Sequence, residues 1–201
     1  MPMICYSDLT IYAQSGGTGA IVGDIELRSS GSITIHGGQI SIESGYIEVS
    51  GGGDMTINGG EVSVTTAYGT AIYGQHVVIN GGNVTTTNQQ DGWGIRGGSD
   101  VTINGGSVSV TGTYESVGPS YGISANNITI NGGIVSATAN SDAIYANMGN
   151  VIINGGIVNA TNGEGSDSYG INANLDITLG YTELTDRITA SSYKSDRSRS
   201  E

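Results

Sequence analysis

Large apolar aromatics are nearly missing from this chain of 201 residues: phenylalanine is absent and tryptophan occurs once, at Trp93. That argues against a core built on big rings. Proline occurs only twice although glycine reaches 35, so collagen, which needs abundant proline and glycine at every third position, is excluded. Charged residues make up 12%, too few for a coiled coil or a charged helical bundle. The single cysteine, Cys5, has no partner for an internal disulfide. No apolar run approaches the ~18 residues of a membrane-spanning helix. Met1 to Thr10 lacks a basic stretch followed by an apolar one, so no signal peptide is expected there.

The net charge is −12, unevenly placed. Residues 1–186 carry 16 acidic side chains against Arg28 and Arg96, a net of −14; residues 187–201 carry Arg187, Lys194, Arg197 and Arg199 against Asp196 and Glu201, a net of +2. An acidic body repels phosphate backbones, which excludes nucleic acid as the expected partner.

What the chain has instead is repetition. Asn-Gly-Gly begins at Asn58, Asn80, Asn104, Asn131 and Asn154, with His36 in the equivalent earlier place, at spacings of 22, 22, 24, 27 and 23 residues. Each copy follows a short alternating triplet, such as Met55-Thr56-Ile57, and precedes a second alternating segment, such as Glu61-Val62-Ser63-Val64. A third segment follows a variable loop: Ala71-Ile72-Tyr73, Gly94-Ile95-Arg96, Gly122-Ile123-Ser124, Ala143-Ile144-Tyr145 and Gly170-Ile171-Asn172. Period-2 alternation is the mark of strands with one buried face, and no 3.6-residue period competes with it.

Three short strands per unit of 22–27 residues predict an all-β fold, a single-stranded parallel β-helix of about eight coils. Its inward rows would be Ile33, Met55, Val77, Val101, Ile128, Val151, Ile177 and, two residues on, Ile35, Ile57, Ile79, Ile103, Ile130, Ile153, Leu179. The second strand adds Ile40, Val62, Val84, Val108, Val135 and Val158, and the third Ile72, Ile95, Ile123, Ile144 and Ile171. Residues 1–193 form one domain on this reading: degenerate N-terminal coils over 1–32, regular repeats over 33–174, a C-terminal coil over 175–193. Residues 194–201 form a polar tail. The loops Thr65–Thr70, Thr87–Gly92, Thr111–Ser120, Asn140–Asp142 and Thr161–Ser168 absorb the variation in repeat length.

The corners have a physical reason. A sharp turn between strands needs positive φ, which glycine adopts freely. Stacked Asn58, Asn80, Asn104, Asn131 and Asn154 side chains would hydrogen-bond along the row as a structural ladder.

Candidate sites follow from the same frame. Outward neighbours of the third-strand isoleucines are Tyr73, Arg96, Ser124, Tyr145 and Asn172. Of these, Tyr73, Arg96, Tyr145 and Asn172 are the candidate carbohydrate-binding residues, with rings to stack on sugars and a guanidinium to pair with a uronate carboxylate. Trp93, Tyr121 and Tyr169 share another row; by parity they point inward with the isoleucines, as a packed stack at the coil corner. The residues before the first strand read Ser32, Asp54, His76, Asp100, Asn127, Asn150, Asp176. Asp54 and Asp100 stand two coils apart, ~9–10 Å, too far to share one ion. A loop site for Ca²⁺ would draw on Asp91, Asp142, Glu164 or Asp167. The outward threonines of the first strand, of the kind an ice-binding solenoid presents, are interrupted by Val78 and Ile152. No clustered acid set of a β-helix lyase or hydrolase is present: the body has two arginines and no lysine.

The sequence resembles the Gly-rich β-helix repeats of Gram-positive bacterial surface proteins, including the family of calcium- and pectin-binding carbohydrate-binding domains. The resemblance rests on Leu9-Thr10-Ile11-Tyr12 with Gly16-Gly17-Thr18-Gly19, on the five Asn-Gly-Gly corners, and on Asp176-Ile177-Thr178-Leu179-Gly180 with Thr185 to Tyr193. It implies a right-handed coil, a secreted or cell-surface setting, and a non-enzymatic module that binds polysaccharide with Ca²⁺ as its ion. Two alternatives stay open: a spacer or stalk repeat of a larger adhesin, and a polysaccharide lyase or hydrolase of the β-helix class.

Overall fold

The structure is a computed structural model and describes residues 3–12, 20–23, 26–112, 118–163 and 168–195. Among them there is no helix; parallel strands stack into a β-solenoid with about three strands per coil. The second strands make a sheet of eight, from Ala20–Gly23 to Arg187–Ala190. First and third strands belong to one larger sheet, because in two coils they run together as the single strands Gly69–Ile79 and Gly92–Ile103. The corner expected between them is there only a register shift between Gly74 and His76.

The expected rows pair in register. Ile35, Ile57, Ile79, Ile103, Ile130 and Ile153 stack one on the next and are buried, as are Ile40, Val62, Val84, Val108, Val135 and Val158. Buried Ala125, Ala137 and Ala160 keep the coil section narrow. The rows reach both ends. Leu9–Ile11 pairs with Ile33–Ile35, and Ala20–Gly23 with Gln39–Ile42, so the N-terminal segments without Asn-Gly-Gly enter the same frame. At the other end Leu179 is 49% exposed and Ile177 half-buried, because no further coil covers them among the described residues. The third row continues through Tyr193–Ser195, whose Lys194 pairs with Asn172; residues 196–201 of the expected tail lie outside the described residues. The loops are shorter than their sequences suggest, since second strands extend to Thr66, Asn88 and Gly112.

At each corner the strain falls on the second glycine. Gly106 has φ of +83° and Gly105 does not share it; the backbone carbonyl of Gly82 lies 2.6 Å from where a Gly106 side chain would begin. Both the dihedral and the close coil-to-coil approach therefore demand glycine at that position.

Candidate functional site

Three rows of polar side chains run along the solenoid, and they differ in whether their polar groups are already used. In the corner row each Asn Nδ2 donates to the Oδ1 of the Asn one coil earlier: Asn80 to Asn58 at 2.8 Å, Asn104 to Asn80 at 2.7 Å, Asn131 to Asn104 at 2.7 Å, Asn154 to Asn131 at 2.8 Å. Asn58 continues to His36 Nδ1 at 3.3 Å, and the His36 ring stacks on Tyr12. At the other end Asp186 accepts the Gly156 backbone N–H together with those of Thr182 and Glu183. These bonds hold its carboxyl below the usual range, the Glu183 amide contributing most.

The row before the first strand is a second ladder. Oxygens of Ser32, Asp54, Asn127 and Asn150 each accept a backbone N–H from the next coil, those of Asp54, His76, Asn150 and Asp176. His76 lies between two carboxylates, its Nδ1 2.8 Å from Asp54 Oδ1 and its Nε2 3.3 Å from Asp100 Oδ2. Asp54 and Asp100 are thus bridged by an imidazole. No group of three or more His, Cys, Asp or Glu side chains suited to a metal occurs among the described residues.

The third-strand face is different. Glu48, Tyr73, Arg96, Ser124, Tyr145 and Asn172 follow one another in register, coil by coil. The four candidate carbohydrate residues do not act as one row, however. Tyr73 and Arg96 line a groove of about 290 Å³ with Tyr46, Glu48, Tyr68, Gly69 and Thr70. Tyr145 is instead stacked on Tyr121, centroids 5.5 Å apart, and Tyr121 on Trp93 at 5.9 Å. Asn172 donates its amide to Asp142 Oδ2 at 2.9 Å, while Asp142 Oδ1 accepts the Tyr169 backbone N–H at 2.7 Å. Tyr73 and Tyr145, expected in the open, are both half-buried.

Trp93 and Tyr121 do not point inward as parity predicts. In these two coils two successive residues face the core, Gly94 with Ile95 and Gly122 with Ile123, so the aromatic before them is turned outward. There the Arg96 guanidinium lies over the Trp93 ring, Cζ 4.3 Å from its centroid. A second groove, lined by Tyr68, Asp91, Trp93, Pro119 and Tyr121, adjoins the first through Tyr68 and Gly69. Burial raises the phenol pKa of Tyr121, with the Asp142 carboxylate adding and a Ser141 hydrogen bond opposing; Tyr145 is raised by burial, then by Tyr121 and Asp142. Both stay neutral phenols at neutral pH.

Arginine 28 pairs with Glu48 at 2.9 Å and lies over Tyr46. Arg96 has no ion-pair partner among the described residues. Tyr46, Tyr68 and Glu48 were not singled out from sequence; the alternation Tyr46-Ile47-Glu48-Val49, one coil before Ala71-Ile72-Tyr73, was the only signal for Tyr46 and Glu48, and Tyr68 lies in the loop Thr65–Thr70 outside any such pattern.

Of the loop candidates for Ca²⁺, Asp142 is 6% exposed and its oxygens serve Tyr169 and Asn172, so it acts as a strut for the third face. Asp91 borders the second groove. Glu164 and Asp167 lie outside the described residues. No helix among the described residues is long and apolar enough to cross a membrane. No protein-family model, curated protein or solved structure matches this chain.

Proposed function

We propose that the chain is a non-enzymatic interaction module that binds a polysaccharide in the groove of the third-strand face. The observation that carries this reading is Arg96: a guanidinium without an ion-pair partner among the described residues, braced on an indole, set in a groove lined by Tyr46, Tyr68 and Tyr73. Aromatic rings offer apolar faces to the C–H faces of sugars, and a planar guanidinium gives paired donors to sugar oxygens or to a carboxylate. Tyr68, 65% exposed, is the freest of these rings. The Trp93–Tyr121–Tyr145 stack is rigid backing for Arg96 rather than part of the contact surface. With a net charge of −12, the module takes neutral glycans unaided and acidic ones with Ca²⁺ as a bridging ion. A secreted or cell-surface setting fits such a ligand.

The test is retention on polysaccharide gels, with Ca²⁺ and with chelator. Joint replacement of Tyr73 and Arg96 by Ala should abolish retention while the melting temperature holds. Tyr145→Ala should weaken it less. Unchanged retention in the double variant removes the groove and leaves the spacer reading, for which two hydrogen-bonded ladders running from coil to coil are a source of stiffness.

A further inference from the structure

The solvent side of the second-strand sheet carries a third kind of polar array. Each of five consecutive coils presents two outward side chains with a buried residue between them: Ser63 and Thr65, Thr85 and Thr87, Ser109 and Thr111, Ser136 and Thr138, Asn159 and Thr161. They pair in strict register, so Thr65, Thr87, Thr111, Thr138 and Thr161 form an unbroken column beside a column of Ser63, Thr85, Ser109, Ser136 and Asn159. None of the ten is ionisable or aromatic. None makes a side-chain hydrogen bond within the protein among the described residues, in contrast to the two hydrogen-bonded ladders. Interruptions like Val78 and Ile152 on the first-strand face do not occur in this Thr column.

We infer that this face binds ice. Strand geometry fixes the array: ~4.7–4.9 Å between coils and ~6.6 Å between the two columns, over a length of ~19–20 Å. Those repeats are close to the oxygen spacings on planes of hexagonal ice. Threonine is held to few rotamers by its branched Cβ, the more so between identical neighbours. Each free hydroxyl can then fix one water oxygen while its methyl repels the next. Waters anchored this way already stand in a lattice, so joining a crystal costs little further ordering. A charge within the array would impose its own hydration pattern; the adjoining column of Glu61, Asn83, Ser107, Ile134 and Ile157 carries one at its N-terminal end, and Arg187 follows Ile157 in the next coil, so both charges stand at the ends of the array. The lack of rings argues against a crystalline polysaccharide on this face, since sugar faces are gripped by aromatics.

The experiment uses the full chain in supercooled water. Seed crystals should become faceted, freezing should be depressed below melting, and the protein should partition into a growing ice front. Thr87→Tyr and Thr111→Tyr each place a bulky ring in the Thr column and should remove most of the freezing hysteresis with an unchanged melting temperature of the protein. Thr129→Tyr, on the first-strand face, should leave it at the wild-type value. Folded protein with no more effect on ice than an equimolar unrelated protein overturns the inference. So does wild-type hysteresis in both Tyr variants of the column. Retention on crystalline cellulose that those two substitutions abolish, without any ice activity, also overturns it and assigns the face to polysaccharide. Loss of groove-dependent glycan retention leaves the ice result untouched, so the two sites fail independently.

Discussion

Replacing Thr86 by Val should stabilise the solenoid. Thr86 stands between Val64 and Val110 in an inward row that continues through Ala137 and Ala160. It is fully buried, and its Oγ1 has no hydrogen-bond partner. The backbone of Gly94 approaches so closely that a side chain there would begin 2.8 Å from this oxygen and 2.3 Å from Val110 Cγ1. The hydroxyl is thus pressed against packed atoms. A buried polar group left unsatisfied costs about 1–3 kcal/mol, and an apolar group of the same shape removes that cost. Valine keeps the shape. For a chain of this size 1 kcal/mol moves the melting temperature by about 2–4 °C, so a rise of about 2–8 °C is expected if roughly half to all of a mid-range penalty of about 2 kcal/mol is recovered. Thr86→Ser keeps the hydroxyl and loses a methyl, costing about 1 kcal/mol. Thr86→Ala loses both and should fall between Val and Ser. The measurement is thermal unfolding of the four proteins by far-ultraviolet circular dichroism. A Val variant melting at or below wild type, or a Ser variant above it, would refute the account of Thr86 as an unsatisfied core hydroxyl.

Two further outcomes follow from the ladders and corners. Gly106→Val should lower the melting temperature far more than Gly105→Val, because only Gly106 combines positive φ with a carbonyl 2.6 Å from the new Cβ; equal losses would show that the corner is not strained at the second glycine. Asp186, whose carboxyl is held below the usual Asp value of about 3.9 by backbone N–H groups, contributes stability present above that value and lost as pH falls through its lower, folded value. Asp186→Asn should therefore melt below wild type at neutral pH, and the gap should close in acid; a gap constant with pH would remove the ionised cap from the account.

The rows of the first and second strands are legible from sequence because each strand is short, strictly alternating, and tied to an Asn-Gly-Gly corner that fixes its phase. Ile57, Ile79, Ile103, Ile130 and Ile153 needed nothing else. The third strand has no such anchor, and there parity fails: two successive residues turn inward, which reverses the face of everything before them. The cue was in the chain all the same. The first member of the inward pair is Ala71, Gly94, Gly122, Ala143 or Gly170, always a residue with little or no side chain. At Gly122 even a Cβ would stand 2.3 Å from the Ala143 carbonyl oxygen. A small residue forced by double inward packing is thus the signal that puts Trp93 and Tyr121 outside.

What alternation cannot show is which outward side chains are already occupied. Asn172 and Tyr73 occupy equivalent positions in their coils, yet one amide is committed to Asp142, thirty residues away in sequence, and the Tyr73 ring borders an open groove. The distinction comes from hydrogen-bond accounting in three dimensions, and it sorts the whole surface. The Asn corners and the strand-start row spend their polar groups on neighbouring coils, so removing a member should cost stability before it costs any binding. Among the described residues Arg96 has no ion pair and only its stack on Trp93, and the hydroxyls of the Thr65–Thr161 column make no side-chain hydrogen bond, so their removal should cost far less stability than removal of a ladder member. Melting temperature and ligand retention measured on the same variants therefore separate the rows that hold this solenoid together from the two faces proposed to bind.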